Sequence, residues 1–265
     1  MATDEQSTFL TPKSAREKGL DFPEPPEYSC PHCGRGLEPR GVALNGRVAW
    51  ISHEPCGCEG ELQAAEAEKA AEVANRLREE QIRRANLLKE VGITRRYENA
   101  EVFDPRCARY LRDFGECSGN GLYIYGEVGT GKTSLANALA REFAFAGYKV
   151  ILTTTIGMLE KIQDTYGKEA SSLLACHGYG ECDVLVLDDF GKESASAWSV
   201  MTIFQIVNMR YESMLPTIVT TQYSPFDLNK RLGRAGEKES AAAIVSRLRG
   251  TMEVVHLTGP DKRIR

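Results

Sequence analysis

The chain has 265 residues, a formal net charge of −4, and 42% hydrophobic and 26% charged residues. That is an ordinary soluble globular composition with room for one large domain or two smaller ones. The mild negative charge excludes a polyelectrolyte that binds nucleic acid with its whole surface and leaves only a local basic face for that purpose; apolar runs fall short of the ~18 residues that span a membrane, so no membrane partner is expected.

Residues 1–20 are polar and charged. They lack the apolar core of a secretory signal and read as a disordered tail. Residues 21–60 are rich in Pro, Gly and Cys, and Phe22-Pro23-Glu24-Pro25-Pro26 predicts a stiff, extended lead-in. Asn45-Gly46, between the apolar runs 42–44 and 47–51, predicts a β-hairpin. That hairpin carries the chain from Cys30-Pro31-His32-Cys33 to Cys56-Gly57-Cys58, a Cys-x2-Cys and a Cys-x-Cys separated by 22 residues. So small a region builds little core. A tetrahedral Zn²⁺ on the four thiolates of Cys30, Cys33, Cys56 and Cys58 would supply the missing stability, on the order of 10 kcal/mol in small zinc domains. The second pair is one residue tighter than a standard knuckle, so His32 or His53 could replace a ligand. Another metal, a redox pair, or no metal are the remaining readings. Four protein ligands close a site, which favours a structural role over a catalytic one. Cys107, Cys117, Cys176 and Cys182 are scattered and read as ordinary buried thiols.

Residues 61–96 turn to Ala, Glu, Arg, Leu and Lys, with no Pro or Gly from Glu61 to Val91. This predicts a charged linker helix, with apolar positions too irregular for a long coiled coil. From residue 97 to 265 the pattern is α/β. Strands are predicted at 122–125, 148–154, 183–187, 217–221 and 252–257, and helices at 134–146, 158–166, 200–211 and 240–249. Strands alternating with helices imply a parallel sheet flanked by helices, joined by right-handed crossovers.

The chemistry sits at two strand ends. Gly126-Glu127-Val128-Gly129-Thr130-Gly131-Lys132-Thr133 fits the phosphate-loop pattern G-x-x-x-x-G-K-[ST] at every fixed position, between an apolar strand and an Ala/Leu-rich helix. Gly126, Gly129 and Gly131 let backbone N–H groups of the loop, Thr130 and Ser134 included, point inward at phosphate oxygens. Lys132 is placed for the β- and γ-phosphates of ATP, and the Thr133 hydroxyl for Mg²⁺. Val184-Leu185-Val186-Leu187-Asp188-Asp189 is an apolar strand that ends in two acids. It puts Asp188 beside the phosphate loop as an Mg²⁺ ligand, and Asp189 where it can orient or deprotonate water. Thiols in a protein with such a loop belong to a reducing, cytoplasmic compartment.

With Gly121 to Gly126 leading into the loop, Asp188-Asp189-Phe190-Gly191, Asn208-Met209-Arg210-Tyr211, 215–221, Ser246-Arg247-Leu248 and Gly259-Pro260-Asp261-Lys262-Arg263, the chain from about Tyr97 to Arg265 resembles the AAA+ ATPases of the DnaC/DnaI helicase-loader type. It also resembles the related IstB-type transposition ATPases. The resemblance implies a weak ATPase, cytoplasmic and encoded by a bacterium, phage or prophage, that assembles into a ring or spiral on binding ATP. It implies Arg247 as the arginine that reaches a neighbour's γ-phosphate and Arg263 as the sensor arginine. Two departures stand out. The strand-end sensor is usually Asn, and here Thr221 is followed by Gln222; the second acid is Asp189 where Glu is commoner. Both predict slow, switch-like hydrolysis. The implied function is loading of a replicative DNA helicase, with the Cys-rich module gripping the helicase and the core contacting single-stranded DNA. The alternatives are an IstB-type regulator that binds target DNA, a non-hydrolysing nucleotide-binding adaptor, and a small-molecule kinase. The last leaves Arg247 and Arg263 without a purpose.

Overall fold

The computed structural model describes residues 9–165 and 172–262. The chain divides into two compact units, 1–81 and 82–265.

The first unit is two small hairpins and a helix start. Helix α1 (Pro12–Glu17) opens with Pro12 at its first turn and a capping box between Thr11 and Ser14. Strands β1 (Tyr28–Ser29) and β2 (Gly36–Leu37) pair antiparallel, as do β3 (Pro39–Leu44) and β4 (Arg47–His53). Asn45 and Gly46, with φ 51° and 81°, close the second hairpin as their sequence predicts. The expected disordered tail over residues 1–20 is corrected from residue 9 onward; residues 1–8 lie outside the described residues. Leu10 exchanges both backbone hydrogen bonds with Gly41, at 2.8 Å each. Leu10, Ala15 and Val48 form a small core with Leu20, Phe22 and Trp50. The hairpin's apolar face needs a cover, and these residues supply it.

Helix α2 (Glu59–Val91) is shorter at its end than the predicted 61–96. Gly92, at φ 101°, stops it, and Ile93 N–H donates to the Leu88 carbonyl at 2.9 Å, the six-to-one bond of a left-handed helix cap.

The second unit adds α3 (Pro105–Arg112), β5 (Gly121–Gly126), α4 (Lys132–Phe145), β6 (Val150–Thr154) and α5 (Thr155–Gln163). It continues with α6 (Ser172–Glu181), β7 (Val184–Phe190), α7 (Ala197–Glu212), β8 (Thr217–Thr221), α8 (Pro225–Leu232), α9 (Lys238–Thr251) and β9 (Met252–Leu257). The five strands form one parallel sheet in the order β6-β7-β8-β5-β9. Alternate strand residues feed two cores. Leu122, Ile124, Val184, Val186 and Ile218 pack under α4 with Cys107 and Tyr110 of α3. Tyr123, Leu185, Leu187 and Val219 pack under α5 to α9. Burial on both faces explains the continuous apolar strands.

The predicted helix 158–166 forms earlier, over Thr155–Gln163, and position 166 lies outside the described residues. Cys176, expected as an ordinary buried thiol, is buried in α6, and next to it the His177 Nδ1 lies 2.8 Å from a Glu181 carboxylate oxygen. Helices α3 and α8, each opened by a proline behind an Asp or Ser cap, are additions to the predicted elements.

Candidate nucleotide-binding site and metal centre

The phosphate loop leaves β5, the strand with neighbours on both sides from different parts of the chain, which is where parallel sheets open a crevice. Gly129 and Gly131 have φ 85° and 95°, a region costly for other residues. A Cβ on Gly129 would also collide with the Asp261 carboxylate, and one on Gly131 would press on Phe103 and Lys262. Thr130 Oγ1 donates to the Glu127 carbonyl at 2.9 Å, so the loop is braced from inside. Lys132 Nζ donates to the carbonyls of Gly126 at 2.9 Å and Glu127 at 2.7 Å.

The acidic strand end meets the loop. Thr133 Oγ1 donates to Asp188 Oδ1 at 3.3 Å, and the Thr220 hydroxyl of β8 donates to the same oxygen. Asp188 is buried, and burial raises its pKa above the ordinary carboxylate value, opposed by the Thr220 and Thr133 hydroxyls. A divalent cation between Thr133 and Asp188 would reverse that penalty, so the donor set fits Mg²⁺. Asp189 occupies the left-handed region at φ 56°, at a register shift between β7 and β8. Its N–H donates to Thr220 Oγ1 at 3.1 Å, and its carboxylate pairs with Lys192 Nζ at 2.8 Å. The bulge turns one acid inward and the next toward the crevice. Behind it, buried Glu193 accepts the Gly191 N–H at 2.9 Å.

A cavity of about 330 Å³ stands over the loop. Gly129, Gly131, Lys132, Thr133, Ser134, Asp189 and Gln222 line it, so most of the sequence-derived residues converge. Arg96, Tyr97, Phe103 and Lys192 line it too, with no motif to announce them, and Lys262 joins them from the 259–263 segment that carries the resemblance. Lys262 N–H donates to the Gly129 carbonyl at 2.9 Å, and its ammonium lies 3.3 Å from the Phe103 ring centroid.

Arg247 does not join this cavity. It lines a second one, of about 370 Å³, with Ser118, Asn120, Thr217 and Met252, residues before or at the starts of β5, β8 and β9. That is the sheet edge opposite the phosphate loop. Its guanidinium lies between the Phe204 and Tyr211 rings, at 5.0 and 5.5 Å. Arg263 lies outside the described residues.

In the first unit, the sulfurs of Cys30, Cys33, Cys56 and Cys58 all lie within 4.8 Å of one another. Cys30 and Cys58 are 3.7 Å apart and Cys33 and Cys56 3.3 Å. A tetrahedral ion with bonds of about 2.3 Å sets its sulfurs about 3.8 Å apart, so the cluster fits Zn²⁺. Backbone N–H groups of Cys33 and His32 lower the Cys30 thiol to about 6, while a hydrogen bond to Cys33 and burial push the Cys56 thiol up to about 12, so the crowded thiols share their protons until a cation displaces them. Among the described residues neither His32 nor His53 belongs to the cluster; His53 Nδ1 lies 2.9 Å from the Glu54 carbonyl.

The five-stranded parallel sheet, its phosphate loop and its acidic strand end define an ATP-binding domain of the AAA+ type. Residues 45–265 match the IstB-like ATP binding protein family, and the chain belongs to that family. It is similar to the replicative helicase loader DnaI of Bacillus subtilis (strain 168), at 24% identity over 89% of this chain and 76% of that protein. It is also similar to the replicative helicase loader DnaC of Escherichia coli (strain K12), at 32% identity over 48% of this chain and 52% of that protein, so it spans only about half of DnaC's length. Among solved structures, a DnaC helicase loader superposes with a TM-score of 0.52 at 25% identity, over 62% of this chain and 100% of that one. Among the described residues, no helix is long and apolar enough to cross a membrane.

Proposed function

We propose that this chain is an ATP-dependent loader that delivers a replicative DNA helicase to single-stranded DNA. One observation carries the choice among related functions: the similarity to a helicase loader covers 89% of the chain. The 82–265 unit is too short to account for that coverage by itself, so the likeness extends into the unit that holds the cysteine cluster. The IstB-like family match also enters that unit, over a shorter stretch from residue 45, and it supports an IstB-type regulator of transposition as the second reading.

In the proposed mechanism the loop N–H groups and Lys132 receive the triphosphate, and Thr133 and Asp188 hold Mg²⁺, which neutralises phosphate charge. Arg96, Tyr97 and Phe103 offer a cationic and aromatic wall for the base. Asp189 accepts the proton of the attacking water once its pairing with Lys192 opens, and Gln222 orients that water. Arg247 serves a neighbouring copy's γ-phosphate, a role supported by its place at the sheet edge away from its own loop. Arg263 completes the set as a sensor of the bound nucleotide. Subunits would gather into a ring or spiral on ATP, and hydrolysis would release the helicase. In the first unit, Zn²⁺ on the four cysteines would hold the helicase-gripping surface together.

The test is deposition of the host's replicative helicase on a forked DNA, read as strand separation. Unwinding should rise with the chain plus ATP and stay at background with Lys132→Ala. Equal unwinding with and without the chain would sink the loader reading.

A further inference from the structure

We propose that α8, the turn after it and the first residue of α9 form a contact surface for single-stranded nucleic acid, with Phe226 stacking on a base and Lys230, Arg234 and Lys238 binding phosphates. The inference rests on the reading above, since it names the surface by which such a core would hold a strand.

The four side chains fall every fourth position, at 226, 230, 234 and 238. All four are exposed. Phe226 is 68% exposed, and the Lys230 ammonium lies 4.2 Å from its ring centroid. Lys230, Arg234 and Lys238 line one open cleft with Asn229 and Gly233, and among the described residues no acid joins that lining. The acids nearby in sequence are Asp227, whose carboxylate already accepts the Ser224 hydroxyl at 2.6 Å, and Glu237 and Glu239 beside Lys238. An exposed aromatic beside a row of cations is the chemistry that holds a single strand: a π-face for any base and charge that follows the backbone. A duplex hides its base faces and would leave Phe226 without a partner.

The surface is also wired to the nucleotide site. α8 begins with Pro225, three residues after Gln222 in the nucleotide cavity. The other cation of α8, Arg231, points the other way. It donates to the carbonyls of Gly191 at 3.1 Å and Glu193 at 2.9 Å, in the turn that follows Asp189. A strand bound on the outer face of α8 therefore pulls on the same helix that braces the acidic strand end.

The experiment is equilibrium binding of labelled oligo(dT) to the full chain with ATP and Mg²⁺, across a range of salt. Phe226→Ala should weaken binding about tenfold, and Phe226→Trp should keep it. Replacing Lys230, Arg234 and Lys238 together with Ala should flatten the slope of log affinity against log salt by about 2. ATP affinity, which these exposed side chains do not touch, should be unchanged in each variant and reports that the fold is intact. Oligo(dT) binding of wild-type strength and slope in the variants overturns the inference and leaves the loader reading standing. Failure of the unsubstituted chain to bind oligo(dT) overturns both the inference and the DNA arm of that reading. Variants that bind oligo(dT) normally but lose the helicase would make this a protein-binding face and overturn the inference.

Discussion

Arg210 shows how much one side chain can organise away from the chemistry. It is 1% exposed, and its guanidinium donates to the carbonyls of Cys182 at 2.8 Å, Tyr179 at 3.0 Å and Pro216 at 2.6 Å, and to Thr217 Oγ1 at 2.9 Å. Burial depresses its pKa, yet the carbonyls around it repay the buried charge in hydrogen bonds. It thereby fixes the turns that launch β7 and β8, the two strands that deliver Asp188 and Thr220. Arg210→Lys keeps the charge but loses the planar fork. It should cost about 3 kcal/mol and lower Tm by roughly 6–12 °C, measured by thermal unfolding. A Tm within a degree or so of wild type would mean the carbonyls find other partners. At this scale the sequence was legible where chemistry requires fixed spacing. Thr133 of the loop and Asp188 of the acidic strand end lie within hydrogen-bond reach, the juxtaposition that the two patterns imply. Thr220 and Lys192 were not legible as site residues, because their approach to Asp188 and Asp189 arises from strand order and a bulge, and no local pattern encodes either.

Elements divide in the same way. The Asn-Gly hairpin, the long helix and the five strands announce themselves through turn chemistry, propensity and apolar runs. Helix α1 did not, because six residues are too few to show a period and its stability comes from packing Leu10 and Ala15 on the hairpin. The two β-hairpins have little core of their own beyond that cluster and the one at Cys30, Leu37 and Cys56. The metal should therefore decide whether they fold. Cys30→Ser should remove bound zinc and the unfolding transition of the first unit, while ATP binding by the second unit stays within about twofold. Zinc content and nucleotide titration measure the two effects on one sample. Loss of ATP binding along with zinc would show that the units do not fold independently.

At the scale of the molecule, Lys132 and Arg247 stand at opposite edges of one sheet, and under the proposed sharing of sites between copies ATP hydrolysis would be a property of an assembly. On that proposal Lys132→Ala copies would fail to bind ATP but retain Arg247, and Arg247→Ala copies would bind ATP but lack the cation offered to a neighbour. Each variant alone should be inactive, and an equimolar mixture should recover a fraction of wild-type phosphate release, because some sites then pair intact halves. A mixture as inactive as its components would place the missing cation elsewhere.

The loader reading joins both units, and it meets its sharpest test in a single elution profile: the chain with the replicative helicase of its own host, with and without ATP, beside a form lacking residues 1–81. A stable complex for the intact chain, lost in the shortened form, is the predicted result. No complex with the helicase, together with ATP-dependent retention of duplex DNA, would contradict it and favour a regulator of transposition.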